Sequence, residues 1–524
     1  MPSTLQTFAA GMPILAVLLL MLGLHWSAAK AGLVGLALAI GLSILTFGFG
    51  TRLLPELGVT GAVAGGLLEA VFGAATILWI IFPALCIHEL QQASGAIDRI
   101  RGAIGRLSSD PRLTALLVAW FFALFLEGAA GFGTAAALAA PFLVSMGFGK
   151  VEAVAIVLVG HAIGVSFGAV GTPIIPLAAV TPFTALELSS SIATYHALLG
   201  WLMALMVMFL INQALPRKAP MPGSVWVWTL IAAALFLLPF YLIARFVGPE
   251  LPTLGASLLG AVIFMALLVS SRRGTTPHPA PLQADRPRSQ GVGELITAGA
   301  PYLVLIAIIL FTRLVPPVQE TLSGIAWHWA FHQFEGRVAY LYHPGTLLMV
   351  SFVVGAWWQR AFFHNSETVL ISGAMYRALR RLLPVAVALI AMLGLSRIMV
   401  HAGMIDALAA TAAGSAGSLW PLFAPFVGVL GTFVTGSATA SNILFTEFQQ
   451  ASAERAGFSP LALLGAQGVG AAVGNLIAPH NIIAASGVVG LSGREGEVLR
   501  RTLGVTLVYT LLCGLLALMV FAAH

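Results

Sequence analysis

The sequence predicts an all-α polytopic membrane protein of about 12 spans and two re-entrant helical hairpins, arranged as two inverted repeats. Composition is the first ground. The 524 residues are 59% hydrophobic and only 8% charged, too little charge to cover the surface of a water-soluble protein of this size. Apolar runs of bilayer-crossing length recur from end to end. The second ground is a pair of weakened backbones. Residues 127–135 read Glu-Gly-Ala-Ala-Gly-Phe-Gly-Thr-Ala, and 308 positions later residues 435–443 read Thr-Gly-Ser-Ala-Thr-Ala-Ser-Asn-Ile. Small residues crowded between membrane-length apolar runs, at matching places in two halves, point to broken helices around a central site.

In chain order, spans are expected at roughly 11–27, 31–49, 60–88, 151–180, 191–214, 224–247, 252–271, 297–314, 345–358, 383–401, 461–491 and 502–522. The apolar segments 111–147 and 419–457 are interrupted near their middles and read as hairpins that enter and leave on one side. Four regions follow: N-terminal spans 1–59, a first repeat 60–214, connecting spans 215–382 with a linker at 272–293, and a second repeat 383–524. No basic n-region or cleavage site precedes 11–27, so it reads as a retained first span. Cys86 and Cys513 lie in apolar segments without metal-ligand spacing, which predicts neither a metal centre nor a disulfide. The net charge of +6 needs no nucleic acid, because basic loop residues chiefly set membrane orientation.

Those basic residues test the plan. With both termini outside, the cytoplasmic side receives Lys30, Arg99, Arg101, Arg106, Arg112, Lys150, Arg217, Lys218, Arg272, Arg273, Arg286, Arg288, Arg360, Arg377, Arg380, Arg381, Arg494, Arg500 and Arg501. The outer side receives Arg52, Arg245, Arg313, Arg337 and Arg455, a division of 19 against 5. The halves also match in sequence. Ser94-Gly-Ala-Ile-Asp98 parallels Ala402-Gly-Met-Ile-Asp406, Gly147-Phe148 parallels Gly457-Phe458, and Pro173 parallels Pro479. Residues 98–112 hold four arginines and their counterpart 406–418 none, whereas 494–501 hold three and their counterpart 181–190 none. Equivalent loops therefore face opposite sides, the arrangement of an inverted repeat.

The breaks hold the candidate chemistry. Non-helical backbone at membrane depth is tolerated only against protein or a wet cavity. Gly128, Gly131, Gly133 and Thr134 interrupt the first hairpin; Thr435, Gly436, Ser437, Thr439, Ser441 and Asn442 interrupt the second. Gly171-Thr-Pro173, with Thr172, and Ala478-Pro-His-Asn481, with His480 and Asn481, break the helices that follow. Helix N-termini meeting there would offer amides and hydroxyls to an anion. Glycines that merely allow close helix packing would give the same composition, and Gly160, in an uninterrupted run, is expected to serve packing alone. Glu127 is a carboxyl at membrane depth, expensive when charged, which suits a proton carrier. His161 could share its proton. Arg397 could neutralise an anion, although its repeat partner Glu89 argues for a contact between repeats. Glu69 and Glu447 are further membrane acids without a repeated polar neighbourhood. No Gly-x-x-x-x-Gly-Lys-Ser/Thr loop or His-Glu-x-x-His pair occurs, so a nucleotide or zinc enzyme is not indicated.

Phe125-Leu-Glu-Gly-Ala-Ala-Gly-Phe-Gly-Thr134, followed by Leu143-Val-Ser-Met-Gly-Phe148, resembles the bacterial L-lactate permease family. Thr435-Gly-Ser-Ala-Thr-Ala-Ser-Asn442, Phe167-Gly-Ala-Val-Gly-Thr-Pro173 and Tyr342-His-Pro-Gly-Thr346 resemble further family segments, so the likeness spans nearly the whole chain. The resemblance implies proton-coupled uptake of lactate, glycolate and related short 2-hydroxy-monocarboxylates, and kinship with two-hairpin transporters. Three departures stand out. Ala438 occupies the place of the family's usual Asp, Ala135 that of a usual Pro, and His161 that of a common Asn. The chain is identified as a divergent member.

The expected function is secondary import of a small organic anion with protons across the bacterial cytoplasmic membrane by alternating access, not an enzyme reaction. Glu127 and His161 would carry the proton, Arg397 would be the anion's partner, and no cofactor is required. Sodium coupling is the alternative, with break-point carbonyls and Asn442 around the ion; an anion channel comes after it. The expected partners are substrate, protons and lipid, with a homodimer as one compatible assembly.

Overall fold

The computed structural model describes residues 3–24, 26–104, 110–131, 133–215, 224–271, 292–362, 371–491 and 494–521. The linker at 272–291, with Arg272, Arg273, Arg286 and Arg288, lies outside the described residues, as do Arg106, Arg217 and Lys218 and the side chains of Arg101 and Thr134. Among the described residues 13 helices are long and apolar enough to cross a membrane. The chain is therefore an integral multi-pass membrane protein.

Local sequence explains where the elements begin. Ser3 caps Thr4–Gly23 in a reciprocal box with Gln6, and Thr184 caps Ala185–Ala214 in the same way with Glu187. Both helices thus start some turns before the apolar stretches expected at 11–27 and 191–214. The span expected at 60–88 is Gly58–Ala93, and that expected at 383–401 is Ile371–His401. The latter extends because Arg377 and Arg381 reach Glu89 at 2.8 and 2.9 Å, which lets a basic turn remain helical against a neighbour. Along these two long helices Gly66 faces Ile398, Gly73 faces Leu393 and Glu89 faces Arg377, so they run antiparallel.

Both hairpins are present. The first has arms Pro111–Ala130, buried from Arg112 onward and containing a π-helical stretch at Leu117–Phe122, and Thr134–Ser145. The second has arms Trp420–Thr435 and Ala438–Ala456. Each is followed by a helix that loosens before it breaks. Lys150–His161 passes into a 3-10 stretch at Ala162–Phe167 and restarts at Ile175–Val180. Pro460–Val473 passes into Gly474–Leu476 and restarts at Pro479–Val488. The order of long helix, short helix, hairpin, broken helix and closing helix thus occurs twice, from Gly58 to Ala214 and from Ile371 to Leu516.

Glycine sets how closely hairpin and broken helix approach. A Cβ on Gly160 would strike the Ala119 carbonyl, and one on Gly470 of the second broken helix would strike the Pro425 carbonyl. The expectation for Gly160 is thereby narrowed: it serves packing, but at a backbone-to-backbone contact with no room for a methyl group. Among the elements with no counterpart in the sequence expectations is an antiparallel β-hairpin of Trp327–Phe331 and Phe334–Val338. Its fully buried Phe334 sits over Gly65, and Trp327 and Trp329 flank Phe72 at 5.7 and 5.9 Å between ring centroids.

Candidate functional site

The two hairpin tips and the two helix breaks converge on a cavity of about 40 Å³. Its wall takes Glu127, Gly131 and Gly133 from the first tip, Gly436 to Thr439 from the second, Val165, Gly168, Ala169, Thr172 and Pro173 from the first break, and Asn475 from the second. A water needs roughly 10–15 Å³ of such space, so the cavity suits a ligand of a few non-hydrogen atoms.

Backbone conformation opens this space. Gly131, Gly133 and Gly436 have φ of 58°, 76° and 72°, a region that side chains disfavour. A Cβ on Gly131 would lie 2.9 Å from that of Ala169. Ala169 and Val170 themselves adopt φ of 43° and 56° ahead of Gly171 at 80°. A β-branched residue there is strained, and such strain concentrates at ligand sites and switch regions. The second arms start at Thr134 and Ala438, next to the wall residues Gly133 and Ser437, so amides of their first turns have no partner within the helix.

Among the described residues Glu127 is the only ionisable side chain on the wall, and it is 4% exposed. Gly168 lies against its Oε1, where any Cβ would collide. His161 is buried beside it. Its Nδ1 donates to the Val157 carbonyl at 2.7 Å, which leaves Nε2 3.9 Å from Glu127 Oε2. With Nδ1 committed as donor, a neutral His161 turns a lone pair toward the carboxyl. Thr439, also on the wall, has a hydroxyl without a partner among the described residues, and Asn475 Oδ1 is buried and unpaired.

Other expected residues hold the tips and breaks together, Ser437 and Thr172 from the cavity wall and Thr435, Ser441, Asn442 and Asn481 from outside it. The Thr435 hydroxyl has the Gly431 and Ser437 carbonyls within reach of its one proton, at 2.8 and 3.1 Å, and accepts from the Ser437 amide, which closes the second turn. Ser437 caps the second arm by accepting from the Ala440 amide at 3.3 Å. Ser441 donates to the Gly428 carbonyl at 2.8 Å and ties the arms together. Asn442 Nδ2 donates to the Pro173 carbonyl at 2.8 Å, joining the second hairpin to the first break, while its Oδ1 is buried and unpaired. Thr172 donates to the Gly168 carbonyl at 3.2 Å. Asn481 spans the tips: Nδ2 reaches the Gly436 carbonyl at 3.4 Å, and Oδ1 stands 3.4 Å from where a Gly133 Cβ would be.

Three residues fall elsewhere. Gly128 packs on the backbone of Leu254, 2.5 Å from its would-be Cβ, because a helical turn aims it away from the tip. His480 is exposed and stacks over Gly436 outside the cavity wall. Arg397 is engaged with Glu447 and, at 3.5 Å, with Glu69, so its charge is already answered away from the cavity. Gly168, Ala169 and Asn475 were not singled out by the sequence. Asn475 follows Gly474 as Ala169 follows Gly168, so the repeat offset was the available signal.

The L-lactate permease family profile matches residues 6–335 and 333–523. The chain belongs to the L-lactate permease family. An L-lactate permease of Streptococcus iniae is 29% identical over 87% of this chain and 92% of its own length. One from Bacillus subtilis is 28% identical over 92% of this chain and 90% of its own, and a glycolate permease of Escherichia coli is 25% identical over 98% and 95%. Among solved structures, the YdaH transporter of Alcanivorax borkumensis shares the fold with a TM-score of 0.53, 15% identity and coverage of 93% of this chain and 98% of that one. The permease is thus a membrane transporter rather than an enzyme. Ala438, where the family resemblance leads one to expect an acid, lies on the same cavity wall as Glu127.

Proposed function

We propose that this permease imports a short 2-hydroxy-monocarboxylate such as lactate or glycolate together with a proton, by alternating access around the cavity between the hairpin tips. The observation that carries the reading is the charge inventory of that cavity: among the described residues, one carboxyl, Glu127, and no basic side chain on the wall. A substrate carboxylate entering beside an ionised Glu127 would place two negative charges together at low dielectric, which is prohibitive. Loading therefore needs a proton. His161 Nε2, facing Glu127 with its other nitrogen committed, is placed to share it. With that proton the loaded site carries one negative charge rather than two, so substrate and proton cross together, whereas substrate beside an ionised Glu127 meets a higher barrier.

The substrate's negative end would lie against the amides that start the second arms, with the Thr439 hydroxyl and the Asn475 side chain as polar partners. Gly131, Gly133 and Gly436 admit close backbone approach. The twofold element order and the antiparallel long helices support an inverted repeat, with units 60–214 and 383–524 joined by 215–382. Opposed orientation supplies two equivalent half-paths to one site. The charge distribution supports a bacterial cytoplasmic-membrane location with both termini outside.

The test is transport in proteoliposomes under an imposed pH jump and, separately, a sodium jump. Accumulation should follow the proton gradient alone; accumulation on the sodium jump would replace the reading with the sodium-coupled one. Glu127→Gln, a mimic of the protonated carboxyl, should support substrate exchange while losing pH-driven accumulation. If Glu127→Gln still concentrates substrate on a pH jump, Glu127 has a structural role.

A further inference from the structure

A second group of ionisable side chains lies away from the cavity, where the second hairpin meets the antiparallel long helices. Arg397, on Ile371–His401, engages Glu447 of the hairpin's second arm and stands 3.5 Å from Glu69 of Gly58–Ala93. The Ser396 hydroxyl donates to Glu447 Oε2 at 2.7 Å. His401 Nε2 lies 2.7 Å from Glu69 Oε2. Arg397 Nε is buried with no acceptor, so the guanidinium is committed to this pocket without being fully satisfied.

Counting charge across the cluster gives two carboxylates against one guanidinium. A partly buried excess of one negative charge is costly, and the contact of His401 with Glu69 is where one added proton would remove it. The site is not sealed by protein: the side chains of Glu69 and His401 are 22% and 19% exposed, and His401 is the last residue of its helix. Among the described residues no further basic side chain pairs with Glu69 or Glu447. Phe334 of the β-hairpin covers His401 edge-on at 4.7 Å, while Glu335 and Arg337 of that strand are exposed. Asp406 and Arg455, at the outer end of the same packing, satisfy each other at 2.9 Å.

We propose that Glu69, Arg397, His401 and Glu447 form a second proton-binding site, distinct from the Glu127 cavity, that clasps the second hairpin to the long-helix pair. With the proton bound the cluster is neutral and holds the hairpin arm. Without it, Glu69 and Glu447 repel across a single guanidinium and the arm loosens. The proton acts here on the position of the hairpin and not on the substrate.

The experiment reads the apparent unfolding midpoint of detergent-purified full-length protein at pH 5.5 and pH 8. It compares wild type with Glu69→Gln, His401→Asn and, as a control on the same arm, Arg455→Gln. A proton held by the folded cluster stabilises the protein at low pH and stops doing so as pH rises. The gap between wild type and Glu69→Gln, and that between wild type and His401→Asn, should therefore be wider at pH 5.5 than at pH 8 by about 2 °C or more. The Arg455→Gln gap should be the same at both. Gaps for the two cluster variants that do not change with pH overturn the proposal. The measurement does not involve Glu127 or transport, so its failure would leave the cavity reading untouched. If Glu69→Gln cannot be purified, His401→Asn alone decides.

Discussion

Gly131 and Gly160 are both glycines of the first repeat, yet they answer to different constraints. Gly131 holds a positive φ at the cavity, whereas Gly160 is helical and pressed on the Ala119 carbonyl. Gly160→Val should reduce the yield of folded protein, because a side chain must displace backbone. Gly131→Val should leave more folded protein but little transport, because it strains the tip and fills the approach to Ala169. Gly487→Ala, a helical site with open space around the added methyl, should match wild type in both. Size-exclusion profiles and initial uptake rates separate the three. Equal folding yields for Gly131→Val and Gly160→Val would contradict the assignment of Gly160 to backbone packing. The same contrast explains what the sequence conceals at this scale. Composition marks where small residues gather, but Gly128, Gly131 and Gly133 look alike until the helical turn sends Gly128 toward Leu254. Arg397 likewise reads as a free cation until Glu447 and Glu69 are brought to it from distant parts of the chain.

Elements were more legible than side chains. Uninterrupted apolar length marked most of the spans, and glycine and hydroxyl clusters marked both hairpin tips, because a bilayer permits few backbone solutions. The β-hairpin Trp327–Val338 escaped, as its buried face depends on Gly65 and Phe72 of a helix far away in sequence. The start of Ile371–His401 escaped because its arginines read as a loop until Glu89 answers them. The antiparallel course of the two long helices bears on topology. Single cysteines at Gly102 and Gly496 should react with an impermeant thiol reagent from the cytoplasmic side, and those at Leu186 and Gly414 from outside. The native Cys86 and Cys513 are buried and give a low background. Labelling of all four from one face would rule out the inverted arrangement.

For the molecule as a whole, membership in a permease family and likeness to a solved transporter fix the class of activity and the fold, not the stoichiometry. The cavity belongs to no single half. Glu127 comes from one hairpin, Thr439 from the other, and Asn442 ties the second hairpin to the first break. That assembly was only partly visible in the sequence, since it depends on four segments meeting in space. The repeat offset did point to the segments, because each half breaks at equivalent places.

Ala438 has a consequence for voltage. On the proposed mechanism, one acid in the cavity means that one proton would accompany one carboxylate anion, and each turnover would move no net charge. A membrane potential should then neither drive nor retard uptake. An acid restored at position 438 would face the same space and demand a further proton, so each cycle would carry one positive charge inward. A charge crossing 100 mV is worth about 2.3 kcal/mol, enough to bias accumulation roughly fiftyfold at equilibrium. Ala438→Asp should thus convert a potential-blind carrier into one that responds to a potassium–valinomycin diffusion potential at constant pH, measured as uptake with the inside made negative. If wild type already responds to that potential, more than one proton travels with each anion, and Glu127 has an unrecognised partner in the cycle.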